Sequence, residues 1–415
     1  MGKNVVSKFV LTLILIFSFH SFSFSQGSTY GGSYQTSAPI VWSGISNQTI
    51  SGLAIKNANG HSIQLTNCSN ITITNCQLGP SKGQGVMLYN CTNITVTNCF
   101  IDSVATGLYA LESSGIKFNF NDVKNLIGPM PRGQMVQFNS VSGGGNSISY
   151  NAVENITGQC NPEDVISQYK TSGLPNDPVQ VIGNWIRGGG PSTSGGGIMT
   201  GDDGGSYILI KDNILVNPGQ YGIAISSGHH ITITNNKIFA SKQTITNVGL
   251  YAWNQYTTDC SSNTISYNRV NFTNKSGVLN NFWNAGNCGT IESWSTNVYD
   301  PNLNESILPA TIIGRAKVKG ITTGIETPEK PADSDTKVKV YPNPATDNIK
   351  IETSSDIPDG AAIIYNLNGQ KIIEQQFNNS NTSINTGNLA TGVYMVVVKT
   401  ATNTIEKMKL VIGKH

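Results

Sequence analysis

The residues best suited to acid–base or ionic chemistry gather in the middle of the chain. Arg132 lies in Gly128-Pro-Met-Pro-Arg-Gly133, Glu163 adjoins Asp164, Lys170 follows, Arg187 precedes a glycine run, Asp202 adjoins Asp203, and His229 follows Gly228. Two carboxyls flanking a bond, one protonated and one ionised, can hydrolyse a glycoside. Asp202-Asp203, with Asp164 or Glu163 upstream and His229 downstream, supplies such a set. A lysine of lowered pKa can instead take the proton beside a sugar carboxylate while a cation quenches the carboxylate's charge. Lys170 is then the base and Arg132 or Arg187 the neutraliser. Glu163 and Asp164, with Asp202 and Asp203, offer hard oxygen ligands for Ca²⁺. Lys170 and Arg132 among several acids favour this second chemistry, a polysaccharide lyase cleaving a uronic-acid polymer. The paired-carboxylate hydrolase is the alternative. A third reading is a non-catalytic carbohydrate-binding or adhesin-like surface protein, with Lys170–Asp202 a salt bridge between coils and Asp203 a turn residue.

A repeat positions these residues. Asn70-Ile-Thr-Ile-Thr-Asn-Cys76 returns 23 residues later as Asn93-Ile-Thr-Val-Thr-Asn-Cys99. Alternating β-branched residues with one Asn or Cys per period describe a strand and turn stacked on its own copy, the signature of a solenoid. Aligned on Cys76, Cys99, Asn121, Asn151, Asn184, Asn213, Asn236 and Asn268, the coils are spaced 23, 22, 30, 33, 29, 23 and 32 residues apart. Three consecutive middle coils therefore carry extra loop, and the charged residues sit on them. A second row starts at Ile63, Val86, Leu108, Val136, Ile166, Ile198, Ile223 and Leu250, facing in. Alternation then turns Tyr109, Gln137, Tyr169, Tyr251 and Trp253 outward, where aromatic rings and amides suit sugars. The same register makes Lys170 and Asp202 neighbours and leaves Asp164 at the opposite strand end.

Charged residues are only 12% of the chain and the net charge is +2, which argues against a nucleic-acid partner. Cys68 and Cys91, like Cys76 and Cys99, fall at equivalent coil positions and read as buried thiol ladders. Cys260 and Cys288 are a plausible disulfide pair, with Cys160 left over. Residues 1–26 read as a secretory signal, with Lys3 and Lys8 before the apolar run Phe9 to Phe19. No later stretch reaches the ~18 apolar residues of a membrane span. Residues 27–315 form the solenoid, 316–335 a linker, and 336–415 a small antiparallel sandwich with Asn-Gly and Thr-Gly turns.

Two resemblances sharpen this. Val338-Lys-Val-Tyr-Pro-Asn-Pro-Ala345, Leu389-Ala-Thr-Gly-Val-Tyr-Met-Val-Val-Val398 and the basic end Lys407-Met-Lys-Leu-Val-Ile-Gly-Lys414 resemble the type A sorting domain of type IX secretion, found in Bacteroidetes. That resemblance implies the secretion machinery as a partner and a secreted or cell-surface location. The coils resemble the pectate-lyase-like superfamily, which implies an all-β, single-stranded, right-handed parallel β-helix. Asp164, Asp202-Asp203 and Gly228-His229 on successive coils are similar to the polygalacturonase-type pattern, but here the last motif reads Gly228-His-His230 and no Arg-Ile-Lys follows.

Overall fold

Each coil is built from three short strands joined by turns that a few residue types make cheap. In the coil beginning at Val86 the strands are Val86–Tyr89, Thr92–Thr97 and Phe100–Asp102. Asn90, Asn93 and Asn98 hold left-handed backbone (φ 49°, 55° and 53°) at the corners, a conformation Asn tolerates better than most residues. Between corners, Val86, Leu88, Ile94, Val96 and Ile101 alternate inward and are fully buried.

The computed structural model describes residues 34–314, 338–354, 360–365, 371–399 and 404–413. The signal segment (residues 1–26) and the linker (316–335) lie outside the described residues. Stacked coils give two all-parallel sheets, of 19 and 11 strands. The larger sheet holds the first and second strands of each coil, joined where Ile198–Lys211 runs through both. The first-strand row has the expected register: Leu108 pairs with Val136, Val136 with Ile166, Ile166 with Ile198, Ile198 with Ile223 and Ile223 with Leu250.

A buried amide ladder holds one corner. Asn121, Asn151, Asn184, Asn213, Asn236 and Asn268 each receive a backbone N–H from the coil before, at 2.9–3.1 Å. The side-chain amide of each, in turn, bonds the same corner of the next coil, ending on Asn297. Corner groups that leave the strand ladder are thus satisfied where water cannot reach. Cys76 and Cys99 start this ladder as buried thiols outside any disulfide, and Cys68 and Cys91 are likewise buried and outside any disulfide. Cys260 and Cys288 are disulfide-bonded, with Cα atoms 4.5 Å apart.

The second unit is a sandwich of antiparallel sheets, one of three strands and one of four. Ile349, Ile351 and Ile384 from the first meet Ala362, Ile364, Val396, Val398 and Leu410 from the second in one core. Alternation along Val338–Tyr341 and Asn348–Thr353 supplies the inward face.

Candidate active site

The outward face of the first-strand row carries Tyr109, Gln137, Ser167, Met199, Ala224, Tyr251 and Trp283 in register, one per coil. Met199, Ala224 and Tyr251 pack with Tyr221 and Val248 into a small apolar floor. Tyr221 meets Tyr251 edge-on at 5.3 Å, and Trp283 lies 5.9 Å from Tyr251 and 5.5 Å from Trp253. Trp253 remains 40% exposed.

Three carboxyls border this floor, and their surroundings push them apart. Asp164 is crowded by protein, yet part of its surface is open. Its Oδ1 accepts the Tyr221 hydroxyl and the Gly196 N–H (3.1 Å). Its Oδ2 has no partner among the described residues and is reachable by solvent. Burial, reinforced by the charges of Glu163 and Asp202 and opposed by the two hydrogen bonds, pushes this carboxyl up to about 7. Asp202 is also pushed up, by burial first and by Asp203's charge. The Tyr256 hydroxyl (2.6 Å) and Ser226 Oγ (3.5 Å), both on its Oδ1, oppose that rise. Asp203 is held below the usual carboxylate range by Lys170 Nζ and the Tyr169 hydroxyl, each 3.0 Å from Oδ2.

Adjacent residues reach such different settings because the chain bulges between them. The turn after each first strand has one left-handed residue: Asn67, Asn90, Glu112, Ser140, Lys170. Gly201 inserts an extra left-handed residue (φ 64°), which hands the turn position to Asp203 rather than Asp202. A Cβ at Gly201 would come within 1.8 Å of the Ser227 carbonyl oxygen, so only glycine fits there. Pairing shifts accordingly, with Tyr169 opposite Asp202. The expected Lys170–Asp202 contact is therefore corrected: Lys170 pairs with Asp203. The same pairing raises Lys170's pKa, the wrong direction for a general base.

The remaining candidates scatter. Arg132 lies over the Tyr109 ring, with its Cζ 4.2 Å from the centroid, and its Nη1 donates to Gln137 Oε1 (3.2 Å). Arg187 is not in the groove. It sits in the strand Trp185–Arg187 of the 11-stranded sheet, pairs with Glu154 and binds the carbonyls of Leu308, Pro309 and Ala310. Its substrate role is corrected to one of fastening the last coil segment. His229 lies on the second strand, where its contacts are His230 (Nδ1 to Nδ1 2.7 Å) and Tyr207, with no acid among them. Glu163 accepts from Ser194 Oγ (2.6 Å). Among the described residues no three His, Cys, Asp or Glu side chains converge to hold a metal ion. Glu163 is turned to Ser194 and Asp164 to Tyr221 and Gly196, so the two carboxyls of the expected Ca²⁺ pair face different partners. Tyr221, Tyr256 and Trp283 border the site and were not named by strand alternation. Tyr256 comes from a loop with no period, and Tyr221 precedes the inward Ile223 and carries inward parity.

Two family matches cover separate parts of the chain. A right handed beta helix region spans residues 39–190, and a secretion system C-terminal sorting domain spans residues 339–413. The chain is a right-handed parallel β-helix protein with a type IX sorting domain. Such a domain marks this β-helix protein for export to the surface or the medium, and no described helix is long and apolar enough to cross a membrane. No curated protein matches the sequence. Among solved structures, the catalytic domain of a GH87 alpha-1,3-glucanase in complex with nigerose is 13% identical, with a TM-score of 0.33, covering 63% of this chain and 49% of its own. The β-helix protein thus spans about half the length of that domain. The enzymatically active domain of bacteriophage CBA120 tailspike protein 2 is 10% identical, with a TM-score of 0.33, covering 91% and 71%. A tailspike of E. coli bacteriophage HK620 in complex with pentasaccharide is 9% identical, with a TM-score of 0.30, covering 85% and 86%.

Proposed function

We propose that this protein is an exported glycoside hydrolase that cleaves a polysaccharide lying along the outward row of its first strands. The observation that supports this most directly is the pair Asp164 and Asp202. Asp202's charge contributes to the rise of Asp164, so ionising Asp202 makes ionising Asp164 harder. Asp164, at about 7, keeps its proton below neutral pH and shares it with its ionised form at neutrality. Asp202 has the Tyr256 hydroxyl and Ser226 to stabilise its anion. That is the division of labour a glycosidase needs: a raised acid to protonate the leaving oxygen, and an ionised partner for the anomeric carbon.

Asp164 gives its proton to the glycosidic oxygen, and Tyr221 and Gly196 hold the carboxyl in place. Asp202 meets the positive charge developing at the anomeric carbon, as base to a water or as nucleophile. Tyr251, Trp253 and Trp283 offer ring faces to the sugars on one side of the cut. Elimination is the weaker reading, because its base, Lys170, is a half-exposed ammonium tied to Asp203. Export across the outer membrane would follow recognition of the sorting domain by the type IX machinery.

The test incubates the purified protein with neutral and uronate polysaccharides, an α-1,3-glucan among them, with and without Ca²⁺. It follows new reducing ends and the absorbance of unsaturated products. Reducing ends without that absorbance, lost in Asp164→Asn, is the expected result. Absorbance rising with reducing ends would replace hydrolysis by elimination. Binding without either signal would replace it by a carbohydrate-binding role.

A further inference from the structure

Arg132 is unlike the other described arginines. Arg187 and Arg269 each end on a carboxylate, Glu154 and Asp300 respectively. Arg132 ends on none. Its guanidinium lies on the face of Tyr109, itself nearly buried, and is fixed there by Nη1, which donates to Pro131 O (3.1 Å) and Gln137 Oε1 (3.2 Å). Those two bonds use both hydrogens of Nη1. Nε and Nη2 keep three N–H donors with no partner among the described residues. Nε–H and one Nη2–H lie along one edge of a planar group whose face is already stacked, the edge that grips a carboxylate or sulfate with two parallel bonds.

The loop that carries Arg132 is not free to swing away. A Cβ at Gly128 would meet the Asn161 carbonyl oxygen at 2.4 Å, and one at Gly133 would meet the Glu163 N at 2.5 Å. The loop is packed on the segment that leads into Asp164. Around the guanidinium stand Asn139, whose amide donates to the Tyr109 hydroxyl (3.0 Å), and His61, whose pKa is lowered by burial and then by Arg132's charge. Among the described residues no acid pairs with Arg132, whereas Asp164, Asp202 and Asp203 stand two to three coils beyond Tyr109.

We infer that Arg132, stacked on Tyr109 and steadied by Gln137, is a subsite for an anionic sugar, so that the polymer carries a carboxylate or sulfate a short distance from the bond that is cut. The inference rests on the hydrolase reading only for the place of that bond. Tyr109 and Asp202 stand on strands three coils apart, about 14 Å at ~4.8 Å per strand, within the span of a short oligosaccharide. Anion recognition by Arg132 and bond cleavage by Asp164 and Asp202 are thus separate parts of one groove, with the aromatic group of Tyr251, Trp253 and Trp283 beyond the acids.

The experiment measures binding, so that loss of catalysis cannot mimic loss of the subsite. Full-length Asp164→Asn protein, with and without Arg132→Gln or Arg132→Lys, is titrated calorimetrically with uronate, sulfated and neutral oligosaccharides of equal length. The expected result is salt-sensitive binding of an anionic oligosaccharide that weakens at least tenfold in Arg132→Gln. Arg132→Lys should recover little, because a single ammonium cannot offer the two-bond edge. Neutral oligosaccharides should bind both proteins alike. Whether the uronate or the sulfated series responds identifies the anion. Preference for neutral glycans in the Arg132-intact protein, no anionic ligand at all, or equal weakening of neutral and anionic ligands in Arg132→Gln would each overturn the subsite. Failure of the hydrolase reading would show separately, as absence of cleavage by wild type with the Arg132 effect intact.

Discussion

The narrow coils and the enlarged coils share one backbone plan and put different residues into it. In the narrow coils the turn after the first strand holds Asn67 and Asn90, whose side chains bond each other at 2.7 Å. Further along the same series stand Lys170 and Asp203, joined as an ion pair. An amide that satisfies its neighbour is replaced by charges that bias one. The neighbouring buried ladder does not change character: Asn151, Asn184 and Asn213 run through the enlarged coils unbroken. The scaffold is thus held constant on one corner while the other is released to chemistry, and the loops that lengthen the coils bring Gly196 and Tyr256 to the acids.

The sharpest way to break this contrast is to remove the proton donor. Asp164→Asn keeps the hydrogen-bond acceptor for Tyr221 and Gly196 but cannot protonate a leaving group. Hydrolysis should fall by about 10²–10⁴-fold while oligosaccharide binding persists. Unchanged turnover would remove Asp164 from the mechanism. The pH profile should show the same group. Activity should decline as pH rises through about 7, where Asp164 ionises. Stability should follow in a fixed direction. The folded carboxyl binds its proton more tightly than the unfolded one, so stability falls as pH rises from about 4 to about 7 and the penalty is complete above that window. In Asp164→Asn that slope should flatten, and melting temperatures measured across the window would show it.

Next in size is the scaffold side of the comparison. Asn184→Ala orphans backbone and amide groups on two coils, and should cost ~1–3 kcal/mol by denaturant unfolding. Cys99→Ala, in the same ladder of a narrow coil, removes weaker sulfur bonds and should cost less. Equal losses would mean that the amide ladder gives the enlarged coils no special support. Tyr256→Phe should cost less again, perturbing turnover about tenfold or below. It also removes a bond that favours Asp202's anion, so the acid limb of the pH profile should move to higher pH.

Much of this was legible in the sequence because a solenoid repeats its physics. The ladder positions from Cys76 to Asn268 follow from period alone, and so do the inward and outward sides of the first-strand row. The site was legible only where the period holds. A single inserted left-handed glycine, Gly201, moved Asp203 into the place expected for Asp202. Arg187 has the right chemistry for a groove, but the same periodic logic places its strand on the other sheet, and only tertiary packing shows it holding the carbonyls of residues 308–310. Tyr256 and Gly196 belong to long loops, whose path no local pattern encodes. The raised state of Asp164 depends first on burial, and then on charges that include Asp202's one coil on, neither of which its own neighbours in sequence announce.

The smallest predicted effect separates the chemistries most economically. In elimination Lys170 takes the proton, so Lys170→Ala should reduce turnover by about 10²–10⁴-fold. In hydrolysis by Asp164 and Asp202 the lysine acts only on Asp203, whose carboxyl it holds low from a half-exposed position. Removing it raises Asp203's pKa and lessens the like-charge pressure on Asp202 at moderately acid pH. Turnover near neutrality should then change by less than about fivefold, since exposed ion pairs carry little energy. The pH–rate profile of Lys170→Ala therefore decides between a lysine that does chemistry and one that tunes a neighbour. An acid limb shifted with the plateau retained fits the hydrolase, whereas a collapsed plateau restores the lysine as base.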